Sequence, residues 1–438
     1  MRRDPDFVRA HRLDDVHLLA LQSGRYPDMD MPWVVCQVDG WQRARHKVPR
    51  WANTEGIVYP PHLSMEQCSS EEAARYKAEV VRQWLTTSHE PTTTDVVHAT
   101  TFVDLTGGLG VDHSFMAPLF DRSYFVEQQD TLCGLARHNL PLLGLAHTEV
   151  VQGDAEEVWR QLPAADVVFL DPARRDSHGG RTWSIADCTP NILPMLPGLL
   201  EKARVVVVKL SPMLDWHQAV SEVEAAGGSV VEVHIVDVGN ECKELLLVVV
   251  PPTEHGVMRL LCVHGGQVID ITPEERQGTP LLVKDEEELR QAAWLYEPCP
   301  AIMKSGCFAM LSRRYGVKAV GQNSHLFVGD GTLCGQDGHS QPSGEGVVTF
   351  PGRSFRIVRV FTLNKRECAE ALRGITQANV STRNFPLSTD QLRKKLHLRE
   401  GGDNNLFATT FQDQRYLFLG APLSSPHLSV AGLEKGHS

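Results

Sequence analysis

The sequence lacks the cysteine patterns of zinc sites and disulfide frameworks. Its 438 residues include ten cysteines, which are well scattered, form no CxxC pair and occur in no Cys/His cluster of zinc-finger spacing. Scattered cysteines of this kind are typical of free thiols in a reducing cytosol. We therefore predict no metal site from this pattern.

Long apolar runs are also absent. The N-terminus, MRRDPDFVRAHRLDD, carries charge where a signal peptide needs an apolar core. No run reaches the roughly 20 apolar residues that span a bilayer. The longest runs, VVVVKL and LLLVVV, have the length of buried strands. These absences predict a cytoplasmic protein with no membrane partner.

Positive charge is scarce in the chain as a whole but not in one segment. Lys and Arg number 43 against 54 Asp and Glu, a net charge of −11, which argues against indiscriminate coating of nucleic acid. Residues 351–400 contain eleven Lys/Arg and only four Asp/Glu, a local balance of +7. Such segregation is what a phosphate-binding surface would produce, although a solvated helix face remains the alternative.

The hydrophobic pattern divides the chain into four parts. Residues 1–95 have apolar positions at helical spacing, and in SSEEAARYKA we expect Ser69 and Glu72 to form a capping box. In residues 96–252, short β-branched runs alternate with helical stretches, which predicts a parallel sheet with helices on both faces. Its last two runs are expected to pair antiparallel. Residues 253–345 and 346–430 mix strands and helices, and the first of these is predicted to be a small ferredoxin-like α+β domain.

A glycine-rich turn, FVDLTGGLGVD, follows the first predicted strand of the sheet. In doubly wound sheets, ligands bind beyond the carboxyl ends of the strands, where glycines let the backbone approach a ligand and a following helix offers free amides. The candidate cofactor-binding residues in this turn are Asp104, Thr106, Gly107, Gly108 and Gly110. The turn alone leaves NAD, a nucleotide phosphate, S-adenosylmethionine and a ligand-free tight turn all open.

Acidic residues after the next strands narrow the choice of cofactor. Glu127 ends the second strand, where an acid can accept both ribose hydroxyls, and Asp154, followed by Ala155, ends the third and can accept from an adenine amine. The fourth strand ends in FLDPARRD, in which Asp171 is the first polar residue. A dehydrogenase has no need of this Asp-Pro, whereas an enzyme that orients a planar base against a methyl donor does.

These motifs carry a resemblance to a known family. DLTGGLG resembles the D-L-F-x-G-x-G motif of class I S-adenosylmethionine-dependent methyltransferases, and DPARR resembles the Asp-Pro-Pro-Tyr and Asp-Pro-Ala-Arg motifs of base methyltransferases. Together with LSMEQCSSEEAARYKA, KLSPMLD and GNECKELL, they resemble bacterial methyltransferase-like proteins with a C-terminal domain similar to THUMP, an RNA-binding module. The resemblance implies a Rossmann-like α/β class I methyltransferase domain, a helical N-terminal extension and small α+β C-terminal modules. It also implies S-adenosylmethionine as the cofactor and a THUMP-like RNA-binding domain over residues 346–430.

Departures from the family motifs bear on the chemistry. Thr106 stands where the nucleic-acid enzymes usually have a bulky aromatic residue, and Ala173-Arg174 replaces the second proline and the aromatic residue of the amino-group methylators. Methylation at carbon-5 of a pyrimidine requires a covalent cysteine adduct. The fifth strand is followed by Ser211-Pro212 rather than cysteine, and the nearest thiols, Cys188 and Cys242, have no base clearly paired with them. Attack by a nitrogen is therefore the preferred reaction.

The expected roles of the remaining residues follow from that choice. Asp171 would accept a hydrogen bond from the acceptor amine, and Arg174 would hold phosphate or base. Further substrate contacts are expected from Arg175, Lys209, Arg383, Arg393, Lys394, Lys395 and Arg399.

The sequence thus predicts a methyltransferase acting on a nitrogen of structured RNA, either tRNA or rRNA, with no DNA partner. Two alternatives stay open. A small-molecule methyltransferase would keep the glycine loop but show no salt-dependent RNA affinity. A non-catalytic RNA-binding protein would bind RNA but release no S-adenosylhomocysteine. The sequence leaves the oligomeric state open as well.

Overall fold

The computed structural model describes residues 1–87, 100–174, 184–252, 257–331 and 349–422. The chain forms two compact units. The first comprises Met1–Val238 and Lys243–Met258, and the second comprises Gly239–Cys242 and Arg259–Ser438. Within these described ranges, no helix is both long enough and apolar enough to cross a membrane.

The first unit begins with helices. They are α1 (Pro5–His11), α2 (Val16–Leu21), α3 (Met31–Lys47), α4 (Pro49–Ala52), α5 (His62–Gln67) and α6 (Glu71–Thr87). The carboxylates of Asp4, Asp15 and Asp30 accept hydrogen bonds from first-turn amides of α1, α2 and α3, which is why these helices begin where they do.

The start of α6 differs from the predicted capping box. Ser70 is the residue whose hydroxyl accepts from a first-turn amide, that of Ala73, at 3.3 Å. The Ser69 hydroxyl instead donates to Oδ2 of Asp112 at 2.7 Å. The prediction of a Ser69–Glu72 box was wrong because a tertiary partner, distant in sequence, takes the Ser69 hydroxyl.

The rest of the first unit alternates strands and helices, as predicted. The strands are β1 (Thr101–Asp104), β2 (Arg122–Glu127), β3 (Thr148–Gln152), β4 (Ala165–Leu170), β5 (Ala173–Arg174), β6 (Cys188–Thr189), β7 (Ala203–Leu210), β8 (Ser229–Val238) and β9 (Glu241–Val250). The helices are α7 (Val111–Met116), α8 (Asp130–Leu142), α9 (Ala155–Val158), α10 (Leu196–Lys202) and α11 (Trp216–Ala225).

The main strands of this unit lie in the order β8-β9-β7-β4-β1-β2-β3. Strands β7, β4, β1, β2 and β3 are parallel, and β9 joins β7 antiparallel. The strand after β1 lies on one side of it, whereas β4 lies on the other side. The carboxyl ends of β1 and β4 therefore flank the switch point where ligands bind in sheets of this class.

The central strands are buried on both faces, which explains their continuous apolar runs. Phe102, Phe125 and Phe169, from β1, β2 and β4, are each at most 1% exposed and share one core with the valines of β7 and β9. Between β8 and β9, Gly239 and Asn240 both have φ of 62°, as a tight two-residue hairpin turn requires. The predicted α/β class is confirmed.

The second unit is α+β. Its elements are β10 (Arg259–His264), β11 (Gln267–Ile271), α12 (Glu286–Gln291), β12 (Trp294–Pro298), α13 (Pro300–Ser305), α14 (Phe308–Tyr315), β13 (Lys318–Ala319), β14 (Phe327–Gly329), β15 (Gly352–Thr362), α15 (Lys365–Ala371), β16 (Asn379–Thr382), α16 (Thr389–Lys395), β17 (Asn405–Phe411) and β18 (Gln414–Pro422). One mixed sheet runs in the order β13-β14-β12-β15-β18-β17-β16. The two C-terminal modules seen separately in the sequence thus share a single sheet, because β12 pairs directly with β15.

Candidate functional site

The glycine loop packs tightly on the strand beside it. The Gly107 amide donates to the Val126 carbonyl at 2.8 Å. A Cβ built on Gly107 would lie 2.3 Å from Cζ of Phe125, a ring that is fully buried in the core. Only glycine can occupy this position without moving the loop or the ring, so this glycine serves close packing.

The next glycines of the loop shape its turn. Gly108 has φ of +56° and Gly110 has φ of +90°, both in the left-handed region that favours glycine. A Cβ on Gly108 would meet nothing nearer than the Thr106 carbonyl oxygen at 3.8 Å, so the loop is open at that point. Gly110 then begins helix α7 as its N-cap residue.

Glu127, at the end of β2, holds the glycine loop through hydrogen bonds from backbone amides. Its carboxylate accepts the Gly108 amide at 2.9 Å through Oε2 and the Gln129 amide at 2.8 Å through Oε1. The residue is 8% exposed. A carboxylate has roughly four lone-pair sites, so acceptor capacity remains on both oxygens after these two hydrogen bonds.

Asp104 supports the loop from inside the protein. It is 1% exposed, and its Oδ1 accepts the Thr106 amide at 3.0 Å while Oδ2 lies 3.4 Å from Nδ1 of the buried His113. Burial raises the pKa of Asp104, and the contact with His113 opposes that rise. The side chain is therefore placed to hold the turn and not to face solvent.

Asp154 lies after β3, as the sequence indicated, and is exposed. Its Oδ1 accepts the Glu156 amide at 2.8 Å, which makes it the N-cap of helix α9, and the following Ala155 is buried. The capping interaction fixes the orientation of the carboxylate at this sheet edge.

Thr106 connects the loop to the end of β4. Its hydroxyl oxygen accepts the backbone amide of Asp171 at 2.6 Å. Thr106 occupies the position at which we noted a departure from the aromatic residue of the family motif. Its hydroxyl links the loop directly to Asp171. The glycine loop and the Asp171 segment are consequently held in one fixed relation.

Asp171 forms an ion pair with Lys209, which lies near the end of β7. The Asp171 side chain is 38% exposed, whereas that of Lys209 is 13% exposed. Burial alone would lower the pKa of Lys209, but the carboxylates of Asp171, Asp112 and Glu244 outweigh burial and raise it. Lys209 is therefore a charged partner of Asp171, and its predicted contact with substrate stays a prediction.

Residues that the sequence reasoning did not select extend this ion pair into the protein. Oδ2 of Asp112, in α7, lies 3.9 Å from Nζ of Lys209, and its Oδ1 lies 3.2 Å from Nζ of Lys77, in α6. Lys77 is fully buried, and its ammonium also donates to both oxygens of Glu244, in β9, at 2.6 and 2.8 Å. Burial would raise the pKa of Asp112, but Lys77 and Lys209 hold it below its usual value.

The three residues that extend the ion pair lie in sequence motifs that were already noted. Lys77 lies in SSEEAARYKA, Asp112 ends the glycine-loop motif and Glu244 lies in GNECKELL, all motifs already singled out by resemblance. Nothing in the linear sequence shows that their side chains meet.

The segment after Asp171 is described only in part. The backbone of Arg174 pairs with Cys188 in the short β5–β6 ladder, so this thiol residue lies close to the site in the fold. Cys188 is 2% exposed. Arg175 lies outside the described residues.

The basic segment of the second unit contains both paired and exposed cations. Arg383 is 3.0 Å from Glu297 and Arg393 is 2.6 Å from Glu400. Lys394 and Lys395 end helix α16 and are exposed. Arg399 is also exposed and follows the end of this helix.

Comparisons with known proteins agree with this architecture. Residues 352–422 match a family described as THUMP domain-like, and residues 294–333 match a ferredoxin-like domain family. Among curated proteins, none is similar enough in sequence to count as a match.

Over most of its length, the chain is similar to a solved structure of a candidate methyltransferase from Porphyromonas gingivalis W83. The identity is 27%, the match covers 95% of this chain and 97% of that one, and the TM-score is 0.74. TrmN from Thermus thermophilus aligns at 16% identity over 40% of this chain and 52% of that one, with a TM-score of 0.29. The chain therefore has a methyltransferase-like fold and a THUMP-like C-terminal domain.

Proposed function

We propose that the protein is an S-adenosylmethionine-dependent methyltransferase that methylates a nitrogen of structured RNA, either tRNA or rRNA. The observation that carries this proposal is the hydrogen bond from the Asp171 amide to the Thr106 hydroxyl, 2.6 Å long. It ties the loop suited to a cofactor to the carboxylate suited to an acceptor amine. Both lie at the switch point between β1 and β4, where sheets of this class bind their ligands.

The residues of the loop fit S-adenosylmethionine. Glu127 keeps acceptor capacity for ribose hydroxyls after it has bound the Gly108 and Gln129 amides. The loop is open above Gly108, and the exposed Asp154 carboxylate follows the neighbouring strand. We propose Asp104, Thr106, Gly107, Gly108, Gly110, Glu127, Asp154 and Ala155 as the residues that form this cofactor site.

Bound S-adenosylmethionine would supply an electrophilic methyl group, and the part of the protein in the reaction is to position the acceptor. Transfer to an amine needs little acid–base help, so correct placement supplies most of the acceleration. The partly exposed Asp171 carboxylate would accept a hydrogen bond from the acceptor amine, while the ion pair with Lys209 would keep that carboxylate in place. Arg174 and Arg175 are proposed to contact phosphate or base.

The THUMP-like domain is proposed to hold the RNA. Lys394 and Lys395, at the C-terminal end of α16, and Arg399 beyond it offer exposed cations, and lysine and arginine dominate phosphate contacts. Arg383 and Arg393 already have carboxylate partners, so we expect weaker contributions from them.

The test is methyl transfer from labelled S-adenosylmethionine to total tRNA and rRNA from a strain that lacks the gene. Nucleoside mass spectrometry of the products should reveal one nucleoside methylated on nitrogen, and the same nucleoside should be missing from the deletion strain. Label in small molecules alone would favour the small-molecule alternative. RNA binding without S-adenosylhomocysteine release would favour the non-catalytic one.

A further inference from the structure

The ion pairs around Lys209 form one continuous chain of alternating charge. It runs Glu244, Lys77, Asp112, Lys209, Asp171, with neighbouring charges 2.6 Å, 3.2 Å and 3.9 Å apart before the final Lys209–Asp171 contact. Exposure of the side chains rises along the chain, from 3% at Glu244 and 0% at Lys77 to 12%, 13% and 38% at the last three. The cluster contains three carboxylates and two ammonium groups, and its most exposed member is the Asp171 carboxylate.

Two carboxylates compete for the one Lys209 ammonium. Asp112 is more buried than Asp171, and charges attract more strongly where water is excluded. Left to itself, Asp112 would draw Lys209 inward. Lys77 prevents this because its ammonium lies 3.2 Å from the other Asp112 oxygen and compensates its charge. The Ser69 hydroxyl, 2.7 Å from Oδ2 of Asp112, helps to hold the same carboxylate.

From this geometry, and resting on the proposed function, we propose that Lys77 is a positioning residue of the methyl-transfer site. By compensating the charge of Asp112 through their ion pair, it leaves Lys209 on Asp171 and so fixes the carboxylate that receives the acceptor. Helix α6 belongs to the N-terminal helical segment, so this segment completes the site and does more than cover the sheet.

The key variant is K77M/E244Q, which removes one acid and one base together. Removing Lys77 alone would leave Glu244 and Asp112 buried without their cation, and such variants are often too unstable to study. The double variant relieves the charge imbalance at Glu244 while still depriving Asp112 of its ammonium. The matched control is E79Q/R82M, which removes an exposed acid–base pair from the same helix.

Crystal structures of the full-length parent and variants provide the first readout. In K77M/E244Q we expect Nζ of Lys209 to leave Asp171 and contact Asp112, whereas in the control it should stay on Asp171. If Lys209 keeps its contact with Asp171 in K77M/E244Q, the inference is overturned. This readout needs no activity, so it decides the positioning of Lys209 even if the parent methylates no RNA and the proposed function fails.

Kinetics provide the second readout. Misplacement of a reacting group by about 1 Å can cost about a hundredfold in rate, so we expect kcat of K77M/E244Q to fall by roughly ten- to a hundredfold. The KM for RNA and the affinity for S-adenosylmethionine should stay close to the parent values. If K77M/E244Q had the kcat and the thermal stability of the parent, Lys77 would not position the site.

A milder variant covers the case in which the double variant does not fold. S69A removes the hydroxyl that donates to Asp112 and accepts from Lys77 at 3.3 Å, and it leaves every charge in place. We expect Lys209 to shift toward Asp112 in its crystal structure and kcat to fall by a smaller factor at unchanged KM. An unmoved Lys209 in S69A, with parent kcat, would count against the proposal.

Discussion

The glycine loop offers a sharp test of the cofactor proposal through the variant Gly107→Ala. The added Cβ would lie 2.3 Å from Cζ, 2.4 Å from Cε2 and 2.6 Å from Cε1 of Phe125. That ring is fully buried, so it cannot swing into solvent, and the loop must move instead. Overpacking of a dense core costs about 1–3 kcal/mol.

The movement affects binding because the loop is held by the groups that would hold the cofactor. A displaced Gly107 loses its hydrogen bond to the Val126 carbonyl, worth about 0.5–1.5 kcal/mol. It also disturbs the Gly108–Glu127 hydrogen bond, worth about 1.5–3 kcal/mol because one partner is charged. If the loop must return to its parent conformation when the cofactor binds, the cost of that return reduces the binding free energy. Each loss of about 1.4 kcal/mol raises Kd tenfold.

The assay is isothermal titration calorimetry with S-adenosylmethionine, below the Tm of every variant. We expect Gly107→Ala to raise Kd at least tenfold. The control is Gly40→Ala in helix α3, whose Cβ would also lie 2.3 Å from a buried side chain, that of Tyr59. It should lower Tm comparably and leave Kd near the parent value. Equal affinity in the parent, Gly107→Ala and Gly40→Ala would refute the assignment of this loop to the cofactor.

Four further predictions concern the ribose acceptor, the acceptor-side carboxylate, the chemistry and the RNA. E127Q places an amide NH₂ against one of the two backbone amides that the carboxylate now accepts, so calorimetry should show S-adenosylmethionine affinity falling tenfold or more; an unchanged Kd would remove Glu127 from the site. D171A removes both oxygens that could accept from the acceptor amine, so it should abolish turnover with cofactor affinity nearly intact; a parent rate would make Asp171 only a turn residue. Denaturing gels should show no covalent adduct with 5-fluoropyrimidine RNA, and an adduct lost in C188A or in C242A would establish carbon-5 chemistry. K394E/K395E should weaken RNA binding in filter assays. It should also reduce the slope of log affinity against log salt concentration, by roughly 0.7–0.9 per lost phosphate contact. If the same charge change on helix α15 weakened binding equally, α16 would not be the RNA contact.

Much of the architecture could be predicted from local pattern. Strands such as FVDL and VVFL have both faces apolar because both faces are covered by helices, and the structure places them as β1 and β4 at the centre of the sheet. The predicted antiparallel hairpin at the end of this region also occurs, with Gly239 and Asn240 in the left-handed conformation that such a turn demands.

Single positions were less predictable where a distant partner competes with a local one. Ser69 has the right spacing for a capping box, yet its hydroxyl donates to Asp112, 43 residues away, and Ser70 caps the helix instead. Lys209 has the appearance of a phosphate-binding lysine, but Asp171 and Asp112 engage it. Local rules predict hydrogen-bond partners from sequence spacing alone. In the folded chain, partners are decided by the cost of leaving a buried polar or charged group unpaired.

The sequence by itself determined the order of elements, the strand-end placement of Asp104, Glu127, Asp154 and Asp171, and the concentration of basic residues in 351–400. These features depend on periodicity, turn residues and composition, all of which are local properties. Only the tertiary structure decided which of the charged groups meet. Lys77 and Glu244 are 167 residues apart, and their contact exists because packing of α6 against the sheet buries both, so that each becomes the charge partner the other requires.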